Sequence, residues 1–491
     1  MSDDRLDREL GELLRAAADV EVPAGLAGRI AAIPDSGRAP RRPNLRGALR
    51  LGTLLVGGLI VLALAWGLPR IAPAPGNSAS PSAATSRRTD VSTPTPRPCS
   101  EPISTNVPAG RGPTPTPYPA TPTPRTPAGP TPTTAPGSYW RTGSLAGARY
   151  GATATRLNDG RVLVVGGTGN SGSGLMTTAE LYDPSTCRFQ AGGFLPSARP
   201  GFTATLLLDG RVLLVGGYDT TGGHTIASAL LYDPATGTFT ETGSLKTGRS
   251  AHYAARLADG RVLIAGGEST SDGGLLTSAE LFDPGTGSFS QTGSMGGVRM
   301  GAGVALLPDG KVLFDGGTDG VGYTGTGHTG DLSSAELYDP ATGTFRPTGS
   351  MLEGTGQTAT VLDDGLVLVL AQVRNVPVGT MPIFRPSAEL YDPKTGKFSL
   401  TGSPTAPAGR GWPSWAGAAL LPDGRGFVLG GTTAQFYDPV AGTFASTASA
   451  TLRSGPAMAV LQDGTVLIAG GSVPVGDTPG PSLSTAEIFW P

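Results

Sequence analysis

The feature that most constrains the fold is a β-hairpin that the chain repeats seven times. Three copies read "RLNDGRVLVVGG" (156–167), "LLLDGRVLLVGG" (206–217) and "RLADGRVLIAGG" (256–267). In each copy two apolar runs flank an Asp-Gly pair, because a tight turn between strands requires the positive φ that glycine tolerates. The turn aspartate recurs at Asp159, Asp209, Asp259, Asp309, Asp364, Asp423 and Asp463. Such a period predicts similar β units that pack against one another.

A second block follows six of the hairpins. It reads "AELYDPSTCRF", "ALLYDPATGTF", "AELFDPGTGSF", "AELYDPATGTF", "AELYDPKTGKF" and "AQFYDPVAGTF". A strand ends in Tyr/Phe-Asp-Pro, a turn with an early proline and a late glycine follows, and another strand begins at the phenylalanine. Each unit is therefore predicted to contain four strands.

The period of about 50 residues and the Gly-Gly pair resemble the kelch repeat, and the resemblance covers roughly 138–491. It implies an all-β fold, a seven-bladed kelch-type β-propeller. The chain departs from the family in two ways. Phenylalanine stands where the last strand of a kelch unit usually has tryptophan, and Ala371-Gln372 replaces the glycine pair of the fifth unit.

The two ends of the repeat region supply the parts of one blade. The last unit stops at "TAEIFWP" (485–491) and lacks a fourth strand, whereas "SYWRTGSL" (138–145) matches the fourth-strand text "GTFTETGSL" (237–245). We therefore predict that the N-terminal strand completes the last blade, since a closed ring removes the raw sheet edges of a linear stack.

Three zones precede the propeller. Residues 1–45 are predicted to form a cytoplasmic helical stub, with Leu6, Leu10 and Leu13 at helical spacing. The stub is weakly similar to the start of membrane-anchored anti-sigma factors, which implies a cytoplasmic sigma-factor-like partner. The alternative is a stub without a specific partner. Residues 70–137 form a Pro/Thr-rich linker that we expect to be disordered, because closely spaced prolines block helix and sheet.

Between them, a transmembrane helix is predicted over 46–69, and its segment 51–69 carries no charge. Five arginines precede this segment at 38, 41, 42, 46 and 50, and only Arg70 follows closely. The positive-inside rule then places the N-terminus in the cytoplasm and the propeller outside the cell membrane. A cleaved signal peptide is the alternative, but about fifty residues precede the apolar run.

The composition limits the kinds of partner that the chain is expected to bind. The net charge is -2 over 491 residues, which does not favour a nucleic-acid partner. Cys99 and Cys187 allow one internal disulfide. Cys187 occupies a turn position that is glycine in the five equivalent turns, and we expect it to be a free or intermolecular thiol. A Cys99–Cys187 bridge is the alternative.

Functional residues are expected on one face of the propeller. The Asp-Gly and Asp-Pro-x-Thr-Gly turns share one face and are uniform. The loops after Gly-Gly share the other face, here called the variable face, and differ in length. Five arginines (149, 199, 249, 299 and 453) and five glutamates (180, 280, 336, 389 and 487) recur there. We interpret them as scaffold pairs, with a basic ring that binds an acidic ligand as the alternative.

Metal chemistry has weak support in the sequence. His224, His252 and His328 come from blades 2, 3 and 4, and Asp315, Asp319 and Asp331 lie near His328 in the sequence, but their spacing is not that of a ligand set. Copper oxidases of the galactose oxidase type also use kelch propellers. That resemblance would imply two histidines, two tyrosines and a thioether cysteine at one centre, a set that the sequence does not assemble. We expect no cofactor.

The predicted ligand-binding residues are Arg410, Trp412 and Trp415. They lie in the link that enters blade 6, whose loop after Gly-Gly (432–433) is the shortest, between long segments at 373–387 and 472–485. Trp415 also stands where the other repeats have glycine or alanine. A flat aromatic beside a cation suits a sugar ring or an extended peptide. Packing of the tryptophans into space left by the short loop is the alternative.

We therefore expect a single-pass membrane protein whose extracytoplasmic propeller binds a glycan, a peptide or a partner protein, and which is not an enzyme. Coupling of ligand binding to the stub would make it a sensor. The alternative is an extracytoplasmic oxidase of the galactose oxidase type, or a hydrolase, that uses the variable face.

Overall fold

A computed structural model describes residues 137–169, 174–320, 330–375, 383–405, 415–430, 433–449, 451, 453–475 and 478–491. Their regular elements are all strands. The predicted stub (1–45), the predicted transmembrane segment (46–69) and the predicted linker up to residue 136 lie outside the described residues. Within the described ranges no helix is long and apolar enough to cross a bilayer.

The strands follow the repeat in chain order. The first part of the chain forms β1 (Ser138–Arg141), β2 (Thr153–Arg156), β3 (Val162–Val165), β4 (Thr178–Asp183), β5 (Arg188–Phe194), β6 (Thr203–Leu206), β7 (Val212–Val215), β8 (Tyr218–Asp219), β9 (His224–Thr225), β10 (Ser228–Asp233), β11 (Thr238–Ser244), β12 (Tyr253–Arg256), β13 (Val262–Ala265), β14 (Glu268–Ser269), β15 (Gly274–Leu275), β16 (Ala279–Asp283) and β17 (Ser288–Gln291). The second part forms β18 (Gly303–Leu306), β19 (Val312–Asp315), β20 (Ala335–Asp339), β21 (Thr344–Pro347), β22 (Thr355–Val361), β23 (Val367–Asn375), β24 (Ile383–Asp392), β25 (Lys397–Leu400), β26 (Trp415–Leu420), β27 (Gly426–Gly430), β28 (Thr433–Asp438), β29 (Thr443–Ser449), β30 (Ala457–Val460), β31 (Val466–Ala469), β32 (Ser472–Val475), β33 (Thr478–Ser482) and β34 (Ala486–Trp490).

Seven four-stranded antiparallel sheets form the blades, and their innermost strands contact one another in a closed ring: β2, β6, β12, β18, β22, β26, β30 and back to β2. The protein is a seven-bladed β-propeller, as the repeat predicts. Blade 7 has the order β30-β31-β34-β1, in which Ser138 pairs with Trp490 and Arg141 with Glu487. The predicted closure by the N-terminal strand is confirmed.

The core lies between the blades. Seven apolar clusters are present, and each joins two neighbouring blades. The second strand of each blade is covered on both sides, so all four residues of β3 and β7 are essentially inaccessible to solvent. This explains the continuous Val/Leu/Ile runs before Gly-Gly, since a strand buried on both faces does not alternate apolar and polar residues.

Phenylalanine replaces the expected tryptophan by packing on a tyrosine of its own blade. Tyr391 and Phe398 have ring centroids 4.8 Å apart. The Tyr391 hydroxyl lies 2.9 Å from the Thr348 hydroxyl of blade 4. The aromatic pair therefore fills the outer part of the blade while the tyrosine hydroxyl ties it to its neighbour.

Candidate functional site

The variable face differs strongly from blade to blade. Blades 2 and 3 carry two-residue strand pairs, β8 with β9 and β14 with β15. Threonines 225 and 270 tie these two hairpins together, because each backbone amide donates to the other hydroxyl, at 2.9 and 3.2 Å. In blade 5, β23 and β24 pair for five residues beyond the Leu370–Ala388 pair, up to Asn375 and Ile383. Blade 7 adds the hairpin of β32 and β33.

Blade 6 lies between the last two of these hairpins and lacks one of its own. Gly430 pairs with Thr433, so only residues 431–432 connect β27 to β28. A short connection was predicted at 432–433, and the strand bounds place it at 431–432. We call this variable-face end of blade 6, between the hairpins of blades 5 and 7, the blade 6 notch. Trp415 is the first residue of β26 and its backbone pairs with Gly430, which places it at the variable-face end of blade 6. Arg410 and Trp412 lie outside the described residues.

The recurring arginines and glutamates are buried scaffold pairs. In blade 3, Arg249 lies 3.2 Å from Glu280, and its guanidinium also donates to the carbonyls of Gly266 and Ser278. Glu280 in turn accepts the amides of Lys246 and Thr247. The same pairing joins Arg149 to Glu180, Arg299 to Glu336 and Arg453 to Glu487. The arginines are at most 4% exposed, so they do not form a basic ring that a ligand could reach.

Blade 2 departs from this pattern by losing the glutamate. Leu230 takes its place, and Pro196, which has no amide hydrogen, takes the place of an amide donor. Arg199 keeps a hydrogen bond to the Ser228 carbonyl at 3.2 Å, but its Nε has no hydrogen-bond partner among the described residues. Burial lowers the pKa of Arg199, and Glu241 is the anion that opposes this shift.

Blade 5 departs from the pattern in the opposite way, by losing the arginine. Glu389 is fully buried and accepts the amides of Leu352 and Glu353. Burial raises its pKa, and these amide bonds oppose the rise. Gly354 stands at the arginine position with φ +70, where an added Cβ would lie 2.2 Å from the Gln372 carbonyl oxygen. The backbone therefore approaches too closely for a side chain at 354.

Asp315 is the most unusual residue of the variable face. The equivalent position holds valine, alanine or leucine in the other six blades, as in Val215 and Ala265. The carboxyl group is completely buried between Gly303 of β18 and Gly356 of β22, where a Cβ on either glycine would come within 2.7 Å of it. Neither oxygen makes a hydrogen bond of regular geometry within the described residues, and the Gly303 backbone is the polar group that favours its charge.

The surroundings of Asp315 favour its neutral form. Burial raises its pKa to about 7, Arg299 opposes the rise and Glu389 adds to it. Arg299 cannot serve Asp315 alone, because it already donates to Glu336 at 2.9 and 3.1 Å. Perturbed carboxyl groups of this kind are concentrated at functional sites. Sequence reasoning considered Asp315 only as a neighbour of His328 in a possible metal site, although comparing the second strands of the seven units would have shown that it replaces an apolar residue.

The described histidines do not form a metal centre. His252 is buried between blades 2 and 3 with Nε2 2.8 Å from the Thr203 hydroxyl, and burial lowers its pKa to about 3. His224 is exposed on β9, and His328 lies outside the described residues. Within the described ranges no three His, Cys, Asp or Glu side chains are placed to hold a metal ion.

Cys187 corrects one expectation. It adopts φ +56, in the left-handed region that glycines 237, 287, 343, 396 and 442 occupy in the equivalent turns. It is disulfide-bonded, and Cys99 is the only other cysteine of the chain. The expectation of a free thiol is therefore wrong. Cys99, the partner in the alternative bridge, lies outside the described residues. The free thiol was preferred because spacing along the chain does not specify which side chains come together.

Comparison with solved structures supports the fold. The chain is similar to a fungal alcohol oxidase of the AA5 family in complex with copper, with 16% identity, a TM-score of 0.52 and coverage of 72% of this chain and 76% of that one. It also resembles the structure of YjhT, with 12% identity, a TM-score of 0.44 and coverage of 70% and 95%. No protein-family model and no curated protein sequence matches the chain.

The expectation that the chain is not an enzyme is contradicted by this comparison. The same propeller fold carries an alcohol oxidase, so the fold gives no reason to exclude catalysis. The described residues nevertheless do not fit the copper of that oxidase. His252 is enclosed and already hydrogen-bonded, and no donor set of three surrounds it. We therefore derive no step through copper.

Proposed function

We propose that the protein is a kelch-type propeller, anchored in the cell membrane and facing outward, that binds a polyhydroxylated chain such as an oligosaccharide on its variable face and acts on it there. The observation that carries this proposal is the blade 6 notch. The β23–β24 hairpin of blade 5 and the β32–β33 hairpin of blade 7 flank a blade whose connection is only residues 431–432. A gap between two raised hairpins suits an extended ligand.

Arg410, Trp412 and Trp415 are the residues proposed to contact the ligand. Trp415 lies at the variable-face end of blade 6 through its pairing with Gly430. Tryptophan supplies a flat apolar surface and one N–H donor at small entropic cost, while arginine supplies several donors for ligand oxygens. This combination matches a sugar, which has an apolar ring face and hydroxyls at its edge.

Turnover of the bound ligand is the part of the proposal that the fold supports. The alcohol oxidase with the same fold acts on a hydroxyl group, and Asp315 gives this chain a buried carboxyl on the same face of the propeller. A binding module without turnover is the second candidate, because the contacts proposed at the blade 6 notch require only binding.

An oligosaccharide panel tests both candidates on the purified full chain. We expect at least one oligosaccharide to bind, and Trp412→Ala and Trp415→Ala each to weaken binding by ~1–2 kcal/mol with little loss of stability. Phe194→Ala, an exposed aromatic on blade 1, and Arg211→Gln, an exposed arginine on the uniform face, are the matched controls.

Mass spectrometry of the bound sugars separates the outcomes. A loss of two hydrogens indicates oxidation, and cleavage products with one added water indicate hydrolysis. Binding without either product supports the binding module. If wild type and both tryptophan variants bind equally, the notch is not the site. If the variants lose ~3 kcal/mol or more of stability, the tryptophans fill space instead.

A further inference from the structure

The junction between blades 4 and 5 contains more buried acid than buried base. Asp315, Glu336 and Glu389 are all at most 4% exposed, and Arg299 is the one arginine that offsets Asp315. Arg299 already binds Glu336 and donates to the carbonyls of Gly316 and Ser334. An ionised Asp315 would therefore add a buried negative charge without a free cation beside it.

Among the described residues, the backbone of Gly303 is the one further group that favours the ionised form, and its effect on the pKa is smaller than that of burial. From β18 and β22 Asp315 is faced by Gly303 and Gly356, which have no side chains. From β20 it pairs with Ala335, the residue before Glu336. From blade 3 the Tyr253 hydroxyl already accepts the Ala302 amide and donates to the Arg299 carbonyl. Glu389 of blade 5 adds negative charge.

Two hydrogen bonds hold the blades together directly beside this carboxyl group. The Gly317 amide donates to the Gly356 carbonyl at 3.2 Å, and the Thr355 hydroxyl donates to the Gly317 carbonyl at 2.6 Å. Both belong to the variable-face end of the junction, since Gly317 follows β19 and Thr355 begins β22. Separation of the two blades at this end would let water reach the ionised Asp315. Water would then solvate a charge that has no free counterion in the protein.

We propose that ionisation of Asp315 parts blades 4 and 5 at their variable-face end, so that this junction opens as the pH rises. The neutral acid keeps the junction closed, because a protonated carboxyl has a far smaller desolvation cost than a carboxylate. The ionised form shifts the equilibrium toward the open junction. Blade 5 carries the β23–β24 hairpin, so the shape of the variable face follows the protonation of one side chain. This inference does not depend on the ligand proposed above.

The junction between blades 2 and 3 is a matched control within the same molecule. There the Gly217 amide donates to the Arg249 carbonyl at 2.9 Å, and the residue equivalent to Asp315 is Val215. Arg249 has its own carboxylate in Glu280. No group at this control junction is expected to change its charge between pH 5.5 and 8.5, since burial keeps His252 neutral over that whole range.

Hydrogen exchange of the full chain at pH 5.5 and 8.5 tests the proposal, with rates corrected for the intrinsic effect of pH. We expect protection of the peptide that contains Gly317 to fall at least ~10-fold relative to the peptide that contains Gly217. Asp315→Asn should abolish this relative fall. Asp315→Ala, which introduces the residue of blades 3 and 7, serves if the asparagine variant does not fold. An unchanged ratio in wild type, or the same fall in either variant, overturns the proposal.

Discussion

In blade 3 the buried Arg249 and Glu280 neutralise each other at 3.2 Å, whereas in blade 5 Glu389 is buried without an arginine, because Gly354 takes its place. Both glutamates accept two backbone amides from the segment that enters their blade. The amide contacts are thus common to both blades, and the ion pair is not. Both blades therefore keep the hydrogen bonds from backbone amides to a buried carboxylate. The arginine is a further partner, and it is absent where the backbone approaches too closely.

Blade 2 shows the opposite change to blade 5, because it keeps the arginine and loses the glutamate. It keeps Arg199 and replaces the glutamate with Leu230, and an amide donor disappears at Pro196 in the same blade. The loss of the carboxylate and the loss of its donor therefore occur together. Blade 2 thus has no buried carboxylate that lacks an amide donor, but it keeps Arg199 without the usual glutamate. Blade 5 keeps Glu389 with its amide donors but without the usual arginine.

The largest effect is expected from breaking the pair in blade 3. Arg249→Leu leaves Glu280 as a buried charge without a counterion, and it should lower the free energy of unfolding by ~3–5 kcal/mol. Arg199→Leu in blade 2 should change it by less than ~1 kcal/mol, because no carboxylate loses a partner there. Urea denaturation of the two variants, measured side by side, checks the difference. Equal losses would mean that the two blades do not differ as described.

Asp315 should make stability depend on pH over a defined range. Its folded pKa is about 7 and the ordinary value is 3.8, so the unfolded chain releases this proton first. Stability is then highest below pH 4 as far as this group is concerned, falls as the pH rises to about 7, and is level above it, a total of about 4 kcal/mol.

The variant Asp315→Ala isolates this contribution. The difference in unfolding free energy between the variant and wild type should grow in favour of the variant from pH 4 to pH 7, measured by denaturation at several pH values. A difference that is constant with pH would show that Asp315 is not neutral in the folded protein. His252, whose pKa is lowered to about 3, acts in the opposite direction below pH 6.5 and cancels in the difference.

Introducing an arginine into blade 5 tests whether an ion pair with Glu389 or the close approach of the backbone at Gly354 has the larger effect on stability. Gly354→Arg introduces the cation that Glu389 lacks, but it requires a side chain at φ +70 and a Cβ 2.2 Å from the Gln372 carbonyl oxygen. We expect a loss of ~2 kcal/mol or more. Gly354→Ala, which brings the same strain without charge, is the control. Thermal unfolding compares them, and a variant more stable than wild type would show that the ion pair outweighs the close approach.

The smallest effect concerns the turn at Cys187. Under reducing conditions Cys187→Gly should raise stability by ~1 kcal/mol, because glycine adopts φ +56 without steric cost. Gly237→Ala in the equivalent turn of blade 2 should lower stability by a similar amount. Without reductant the sign should reverse for Cys187→Gly, since the variant loses the disulfide. Melting temperatures with and without reductant measure both changes.

Much of the propeller was predictable because its signals are local. The Asp-Gly turns, the alternation of turn types and the glycine at one position of the Asp-Pro turns of blades 2 to 6 follow from backbone requirements that are the same wherever the unit stands. Closure by Ser138–Arg141 was predictable for the same reason, since the missing strand text of the last blade appears before the first. The short connection of blade 6 could be read by counting residues.

The site was less predictable because a departure from the repeat is visible in the sequence, whereas its physical consequence depends on residues of other strands. In the sequence Asp315 is a single polar residue in an apolar strand. Its enclosure results from Gly303 and Gly356, which lie on two other strands. The sequence also provided no sufficient ground for excluding catalysis. A search for known catalytic sets examines residue types, whereas the similarity to an alcohol oxidase rests on the backbone path over 72% of the chain.

By itself, the sequence determined the number of blades, the strand content of each, the closing strand and the identity of the buried arginine and glutamate series, because each of these depends on periodic local patterns. The tertiary structure alone decided what happens where those series fail. It showed that Gly354 leaves no room for an arginine, that the Arg199 Nε has no hydrogen-bond partner among the described residues, and that Asp315 lies buried between two blades beside an arginine that already binds Glu336. The physical reason is that desolvation and charge pairing depend on neighbours from other blades, which spacing along the chain does not specify.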